Sequence, residues 1–477
     1  MIERRDISEE SPKGGGTEPP SPTGGGTPAP RREWWQEDAA GAASRWSEPA
    51  AEAQEAPADS AVSFYLLMGF TFILLVAPQR FIPALAQVRI ALLTAIGAVA
   101  VHLVNRFVHR QPLVVFTREL RIVAVLCGWA IVTVPFSYWP GGSVEVLLSH
   151  YFKNVAVFWL IGATVSSVTR LRQVAWGLSL MTIPAAVVGV GEYLSGNLRG
   201  GRIVGFVSPM ASNPNDLALL VNLVLPFTVA LLAINRNTVI RTGLFAILGL
   251  DVLAVILTFS RGGFLTLATI LSTYAWAWAR RGGGRWVVVL VVALAAAPLL
   301  PSTYVDRLGT ITSVDADPTG SSQERWRDTV AALEFVRAHP IVGAGIGMNS
   351  LALNDVRGPS WKPVHNVFLE YAVDLGIPGL VLYLLLFVSC AKSAIVVHRR
   401  SAGAVGLREL HSLAEAVRTS LLGFGVAALF HPVAYHTVFY YFGAVAVALR
   451  AALVAEEGHR GTPEVAGEPW APVNTDS

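Results

Sequence analysis

Charge is scarce in this chain. Asp, Glu, Lys and Arg make up 14% of its 477 residues and apolar residues 53%, whereas an average soluble domain carries about a quarter charged residues. A soluble globule of this length is therefore excluded. Cysteine is nearly absent. Cys127 and Cys390 each sit inside an apolar run, so no disulfide framework or zinc-thiolate spacing can be built, and both read as small buried hydrophobes. No HExxH motif or Cys/His cluster with metal spacing occurs, and neither a metal nor another cofactor is expected. Lysine is rare beside arginine, a bias that a GC-rich genome would produce without any functional cause. The net charge of +3 is too small to point to a nucleic-acid partner.

What is present is apolar length. Runs recur from Ala61 to about Ala455, and many reach the roughly 20 residues that cross a bilayer core. The chain is expected to be an all-α polytopic membrane protein. The expected spans, about twelve, lie near 62–79, 82–104, 121–138, 150–166, 174–193, 215–234, 240–259, 263–280, 285–301, 372–391, 418–435 and 437–455. Nine fall in 61–301 and three in 372–455, with one large loop, 302–371, containing short helices between them. Residues 1–60 and 456–477 read as disordered tails. "SPKGGGTEPPSPTGGGTPAP" has nothing to bury that would offset its ordering entropy. Trp34 and Trp35 belong to that flexible stretch, and no signal peptide precedes the first apolar run.

The positive-inside rule gives the map an orientation. With a cytoplasmic N-terminus, alternate connections carry Arg106, Arg110, Arg118 and Arg121; Arg170 and Arg172; Arg236 and Arg241; Arg280, Arg281 and Arg285; and Lys392, Arg399, Arg400, Arg408 and Arg418. The connection 139–149, on the other side, has no Lys or Arg. Both termini are therefore expected inside, in the cytoplasmic membrane of the cell. Arg80, Arg199, Arg202 and Arg261 break the rule by falling outside. Such residues either snorkel to lipid headgroups or serve a function.

Four stretches could carry chemistry. "LTFSRGGFLTL" places Arg261 at an outer turn between two spans, with Gly262 and Gly263 permitting a tight reversal. A guanidinium fork there suits phosphate oxygens. "NLRGGRIVGFVSPMASNPNDLALL" adds Arg202, and its Asn213–Asp216 segment, with Asn215, reads as a turn and helix cap. In the long loop, Trp326, Val330, Leu333 and Val336 recur at helical spacing over Gln323–His339, an apolar face that could lie over the mouth of the bundle before Pro340 ends the helix. "GAGIG", Gly343–Gly347, lacks the strand–turn–helix context of a nucleotide loop and reads as a turn back toward the membrane.

The fourth is "SWKPVHNVFLEYAVDLGIPGL", where His365 precedes a span. A histidine titrating near neutrality can act as a general base. Glu370 is five residues on, about 140° around a helix, and so cannot pair with it on one face. Any carboxylate that orients His365 must come from another segment. Glu370 and Asp374 do share a face. His431 and His436, also five apart, do not form a metal pair and read as hydrogen-bonded histidines near the membrane interface.

Taken in order, "GRIVGFVSPMASNPNDLA", "TFSRGG", "ERW…AHPIVGAGIGMNS" and "HNVFLEYAVDLGIPGL" resemble the O-antigen ligase/polymerase family of membrane glycosyltransferases over about residues 200–390. The resemblance implies a GT-C-like enzyme of the cell envelope that works in polysaccharide biosynthesis. It would take a polyprenyl-diphosphate-linked glycan such as an undecaprenyl diphosphate donor and a glycan or glycolipid acceptor, outside the cytoplasmic membrane and without metal. It also implies that His365 is catalytic, and that Arg261 and Arg325 bind the donor diphosphate and stabilise the leaving group. Arg202, Asn215, Asn366 and Glu370 are the candidates for substrate contacts. The tryptophan usual a turn after the Arg325 position stands adjacent instead, as Trp326, and the N-terminal tail lies outside the family core. A transporter or flippase for an anionic cargo is the alternative from another class, and sequence does not separate ligase from polymerase.

Overall fold

The computed structural model describes residues 61–82, 84–280 and 320–461. The expected span at 285–301, most of both tails and the first part of the long loop lie outside the described residues. Among the described residues every regular element is helical, with two isolated bridges, Arg199–Arg202 and Ser208–Ala211. Eight helices are long and apolar enough to cross a membrane. They are α2 (Ile90–Val108), α3 (Arg118–Phe136), α4 (Pro140–Thr164), α5 (Val168–Leu194), α6 (Pro214–Ile234), α7 (Thr238–Leu257), α10 (Val367–Arg400) and the Thr437–Gly458 part of α12 (Thr437–Gly461). The shorter apolar helix α1 (Ala61–Val76) precedes them. Helices α8 (Arg261–Arg280) and α11 (Arg408–Ala427) complete the bundle, and α9 (Ser321–Ala338) belongs to the long loop. α11 is not among the eight, and its first three turns carry Arg408, Glu409, Glu415 and Arg418.

The core sits around α6, most of whose residues are buried all round. It packs on α5, α7, α8 and α11, while α10 packs on α3, α11 and α12. A helix buried on every face is what a sequence as uniformly apolar as "DLALLVNLVLPFTVALLAI" requires.

Three expectations need correction. The span placed at 418–435 ends at Ala427, and the residues before Thr437 form a loop. Pro432 cannot continue a helix, and the Ala428 carbonyl accepts instead from Val367 N at 2.8 Å, across to the start of α10. The reversal before α8 turns at Phe259, with φ of 51°, not at the glycines. Gly262 and Gly263 lie in the first turn of α8 and allow close approach. A Cβ on Gly263 would sit 2.6 Å from the Ala218 side chain and one on Gly262 3.2 Å from His431. Lastly, α9 turns three of the four residues of the expected apolar face outward, and the fourth, Val336, packs inward. Trp326, Val330 and Leu333 are exposed, while Asp328, Ala331, Ala332 and Phe335 are buried. Small Ala331 and Ala332 let α9 approach the Val364, Val373 and Met348 side chains, and they form a satellite core with them.

The architecture turns on a kink in α10. Gly376 has φ of 67° and Pro378 lacks an N–H, so the helical ladder breaks here. The freed groups are taken over by the segment after α9. Ile377 N donates to Pro340 O at 2.8 Å, while Val373 O accepts from Ala344 N at 2.7 Å and Asp374 O from Gly345 N at 2.8 Å. Leu375 O accepts from the Trp129 indole at 2.8 Å. "GAGIG" is thus a strap across the kink, as its reading as a turn anticipated. Gly376 can be nothing else, because a Cβ would lie 2.1 Å from Ile341 O. Gly376→Ala is expected to cost about 2 kcal/mol or more, from the left-handed backbone and the clash. Thermal unfolding in detergent would show this, against Gly249→Ala in open space on α7, which should be neutral or slightly stabilising.

Candidate active site

Several helix ends and loops meet around His365. The start of α6 is capped by Asn213, whose side chain accepts from Asn215 N and Asp216 N at 2.9 and 3.1 Å, as the sequence led one to expect. That cap turns the Asn215 side chain outward from the helix. Its Oδ1 accepts from the Arg202 guanidinium at 2.7 Å and from Ser260 Oγ at 2.8 Å. Arg202 also donates to Thr258 O at 2.7 Å. Arg202 is therefore fixed between the end of α7 and the start of α6, where Asn215 links it to Ser260. His431 closes the group, its Nε2 3.1 Å from Asn215 O and its Nδ1 3.3 Å from Ala427 O. A neutral imidazole has one N–H and can satisfy only one of these carbonyls at a time. Burial lowers the pKa of His431, opposed by its hydrogen bond to Asn215.

His365 lies just before α10. The backbone is held on one side by Val367 N to Ala428 O and on the other by Val364 N to Asn349 Oδ1 at 3.1 Å. Its ring is 27% exposed, and Nδ1 faces Asp328 Oδ2 at 3.9 Å. Both atoms are buried and neither has a hydrogen-bond partner, so a small ring rotation would pair them. Asp328 is ion-paired with Arg357, which also donates to Lys362 O, and Lys362 pairs with Glu324 at 2.6 Å. Burial pushes the Asp328 carboxyl up, with Arg357 pulling it back. The Lys362 hydrogen bond holds Glu324 below its ordinary value.

Burial lowers the pKa of His365 to about 4, helped by the charges of Arg325, His431 and Lys362 and opposed by Glu324. At neutral pH the ring is therefore uncharged, and its contact with Asp328 is an orienting contact rather than an ion pair. An N–H on Nδ1 toward Asp328 leaves the Nε2 lone pair on the opposite edge available to take a proton. The positive charge of Arg325 lowers the pKa of both His365 and His431.

The sequence-derived residues thus separate into two groups. His365 stands beside Asp328 of α9, the helix that also carries Arg325. Arg202 and Asn215 form a second part of the same junction through Ser260 and His431, beside half-buried Arg261. Asn366 and Glu370 tie backbone together. Asn366 caps α10, accepting from Phe368 N and Leu369 N at 2.9 and 3.2 Å, and buried Glu370 accepts from Ala434 N at 3.1 Å. Sequence reasoning missed Asp328, Arg357 and the part played by His431. Asp328 had a signal, since it is three residues after Arg325 and so on the same face of α9. Arg357 had none.

Among the described residues, one cluster of donor atoms lies close enough to hold a metal, His398, His411 and Glu415, within 4.8 Å of one another. The two imidazoles are stacked, 4.2 Å apart and 25° from parallel, so their lone pairs do not converge on a point. The cluster lies at the far end of α10, about 45–50 Å of helix from His365.

Residues 244–384 match the family model described as O-Antigen ligase. The chain carries the O-antigen ligase domain of that family. No curated protein matches the chain. The domain runs from α7 past the kink of α10, so it includes Arg261, Arg325, Asp328 and His365 and leaves out Arg202, Asn215 and His431. Together with the apolar helices, the O-antigen ligase domain supports a membrane glycan-processing enzyme with glycosyltransferase-like activity, whose partners are in general terms a lipid-linked glycan and a glycan acceptor.

The charge state of His365 can be tested without substrate. Carbethoxylation at His365, read by mass spectrometry against pH, should reach half its maximum near the lowered pKa of about 4. A midpoint at the ordinary histidine value of about 6.5 would contradict the burial argument.

Proposed function

We propose that the protein transfers or polymerises a polyprenyl-diphosphate-linked glycan on the outer side of the cytoplasmic membrane, with His365 as general base, in a GT-C-like bundle of about twelve spans. The observation that carries this reading is His365 facing Asp328 at 3.9 Å, at a junction where Arg202 and His431 both bond Asn215 beside Arg261. One uncharged base among guanidinium groups matches the needs of displacement at a sugar carbon bearing a diphosphate.

In the reaction an acceptor hydroxyl attacks the anomeric carbon while the bond from that carbon to the diphosphate oxygen breaks. The hydroxyl proton passes to His365 Nε2, and the electron pair leaves with the polyprenyl diphosphate. Arg261 and Arg325, aided by Arg202, would bind the diphosphate and stabilise the charge that grows on it. Direct displacement of this kind inverts the anomeric centre. The lipid tail would lie along the apolar helices.

A base of pKa about 4 is weak, and this sharpens the proposal. Bringing a diphosphate close to Arg325 cancels part of the positive field that depresses His365, so its pKa should rise when donor binds. The acid limb of kcat/KM, set by the free enzyme, should therefore lie near the lowered value of about 4. That of kcat, set by the complex, should lie higher by about a unit or more. Measured with purified lipid-linked donor, His365→Ala should lose activity by about 100-fold or more and Asp328→Asn by about tenfold. Full transfer by His365→Ala would show that another group is the base.

A further inference from the structure

Asn349 and Asp374 stand apart from the groups above, yet both are almost wholly buried and point at one another. Asn349 Nδ2 donates to Asp374 Oδ2 at 3.1 Å, and Gly347 N donates to the same oxygen at 3.1 Å. The other end of the Asn349 amide, Oδ1, accepts from Val364 N at 3.1 Å. A continuous chain therefore runs from the kinked part of α10, through one side-chain amide, to the residue immediately before His365. Asn349 is 2% exposed, Asp374 0% and Val364 1%, so water does not compete for these bonds.

The chemistry of the two side chains fits a bridge. A carboxylate only accepts and a main-chain N–H only donates, so the link between them must do both, and an amide does. Asp374 is itself placed by the kink, where its main-chain oxygen holds Gly345 N and its side chain holds Gly347 N. The strap is thus gripped twice by one residue before it reaches Asn349. On the far side of His365, the backbone is fixed independently by Val367 N to Ala428 O. With the second anchor intact, loss of the first would let the His365 backbone pivot about Val367 and move the ring relative to Asp328.

We infer that Asn349 and Asp374 are positioning residues that transmit the geometry of the α10 kink to His365, holding its imidazole against Asp328 and its Nε2 toward the reacting hydroxyl. This rests on the reading of His365 as the base, and the test separates the two. Full-length protein and its Asn349→Ala variant are compared in two ways in the same detergent preparation. One is kinetics with a polyprenyl-diphosphate-linked glycan. The other is the rate of carbethoxylation at His365, with exposed His109 as internal reference.

The expected result is a fall in kcat of roughly tenfold with KM for the donor within about twofold, and His365 carbethoxylated at least about three times faster with His109 unchanged. Asp374→Asn, which keeps the shape of the side chain, should shift both readings in the same direction, and it is read alone if Asn349→Ala does not fold. An unchanged His365 rate overturns the proposal whatever the kinetics. So does an equal rise at both histidines, which would mean general loosening. A selective rise at His365 in a protein that transfers no glycan, wild type included, would leave the positioning role standing and overturn the functional reading.

Discussion

The structure depends on one broken helix. A membrane helix satisfies its own backbone, and a break inside it costs several kcal/mol for each group left bare in hydrocarbon. α10 breaks at Gly376 and Pro378, and the groups it frees are matched by Pro340 O, Ala344 N, Gly345 N and the Trp129 indole. The match works in both directions. The strap of alternating glycines has no sheet or helix of its own, and the kink supplies partners for its N–H groups. The glycines are demanded by contact. A Cβ on Gly343 would lie 2.5 Å from Val373 O and one on Gly345 2.2 Å from Ser137 Oγ.

The candidate site follows from that clamp. Strap and kink fix the end of the long loop on the bundle, and α9, packed on the same surface by Ala331, Ala332 and Phe335, carries Arg325 and Asp328 to His365. The other half of the junction is held by its own clamps on the loop between α11 and α12. Glu370 accepts from Ala434 N and the Tyr371 hydroxyl donates to Ala434 O at 2.9 Å, so two consecutive residues of α10 grip one residue of the loop that bears His431. Buried Glu370, a candidate for substrate contact by sequence, thus holds backbone here.

Much of this was legible in the sequence, for identifiable reasons. Apolar runs are forced by the thickness of a bilayer, so most helices fell where expected. The absence of a His365–Glu370 dyad followed from helical spacing alone, as did the need for a carboxylate from elsewhere. That Asp328 comes to stand 3.9 Å from His365 Nδ1 was hidden, because the approach depends on how a long loop folds back. The same cause turned most of the expected face of α9 outward: periodicity marked Trp326, Val330 and Leu333 as an apolar stripe, but the neighbour of α9 is a narrow satellite core that admits alanines more closely. The end of α11 was misplaced because the stretch after Ala427 is apolar enough to pass for helix, while its carbonyls are in fact needed across the junction at Val367.

The most direct test of the account is where a bound donor's diphosphate sits. In a structure of the protein with a polyprenyl-diphosphate-linked glycan, the two phosphates should lie against Arg261 and Arg325, with His365 Nε2 on the face of the anomeric carbon opposite the diphosphate. A diphosphate held instead at the far end of α10, beside His398 and His411, or midway between helices with no histidine near it, would contradict the account.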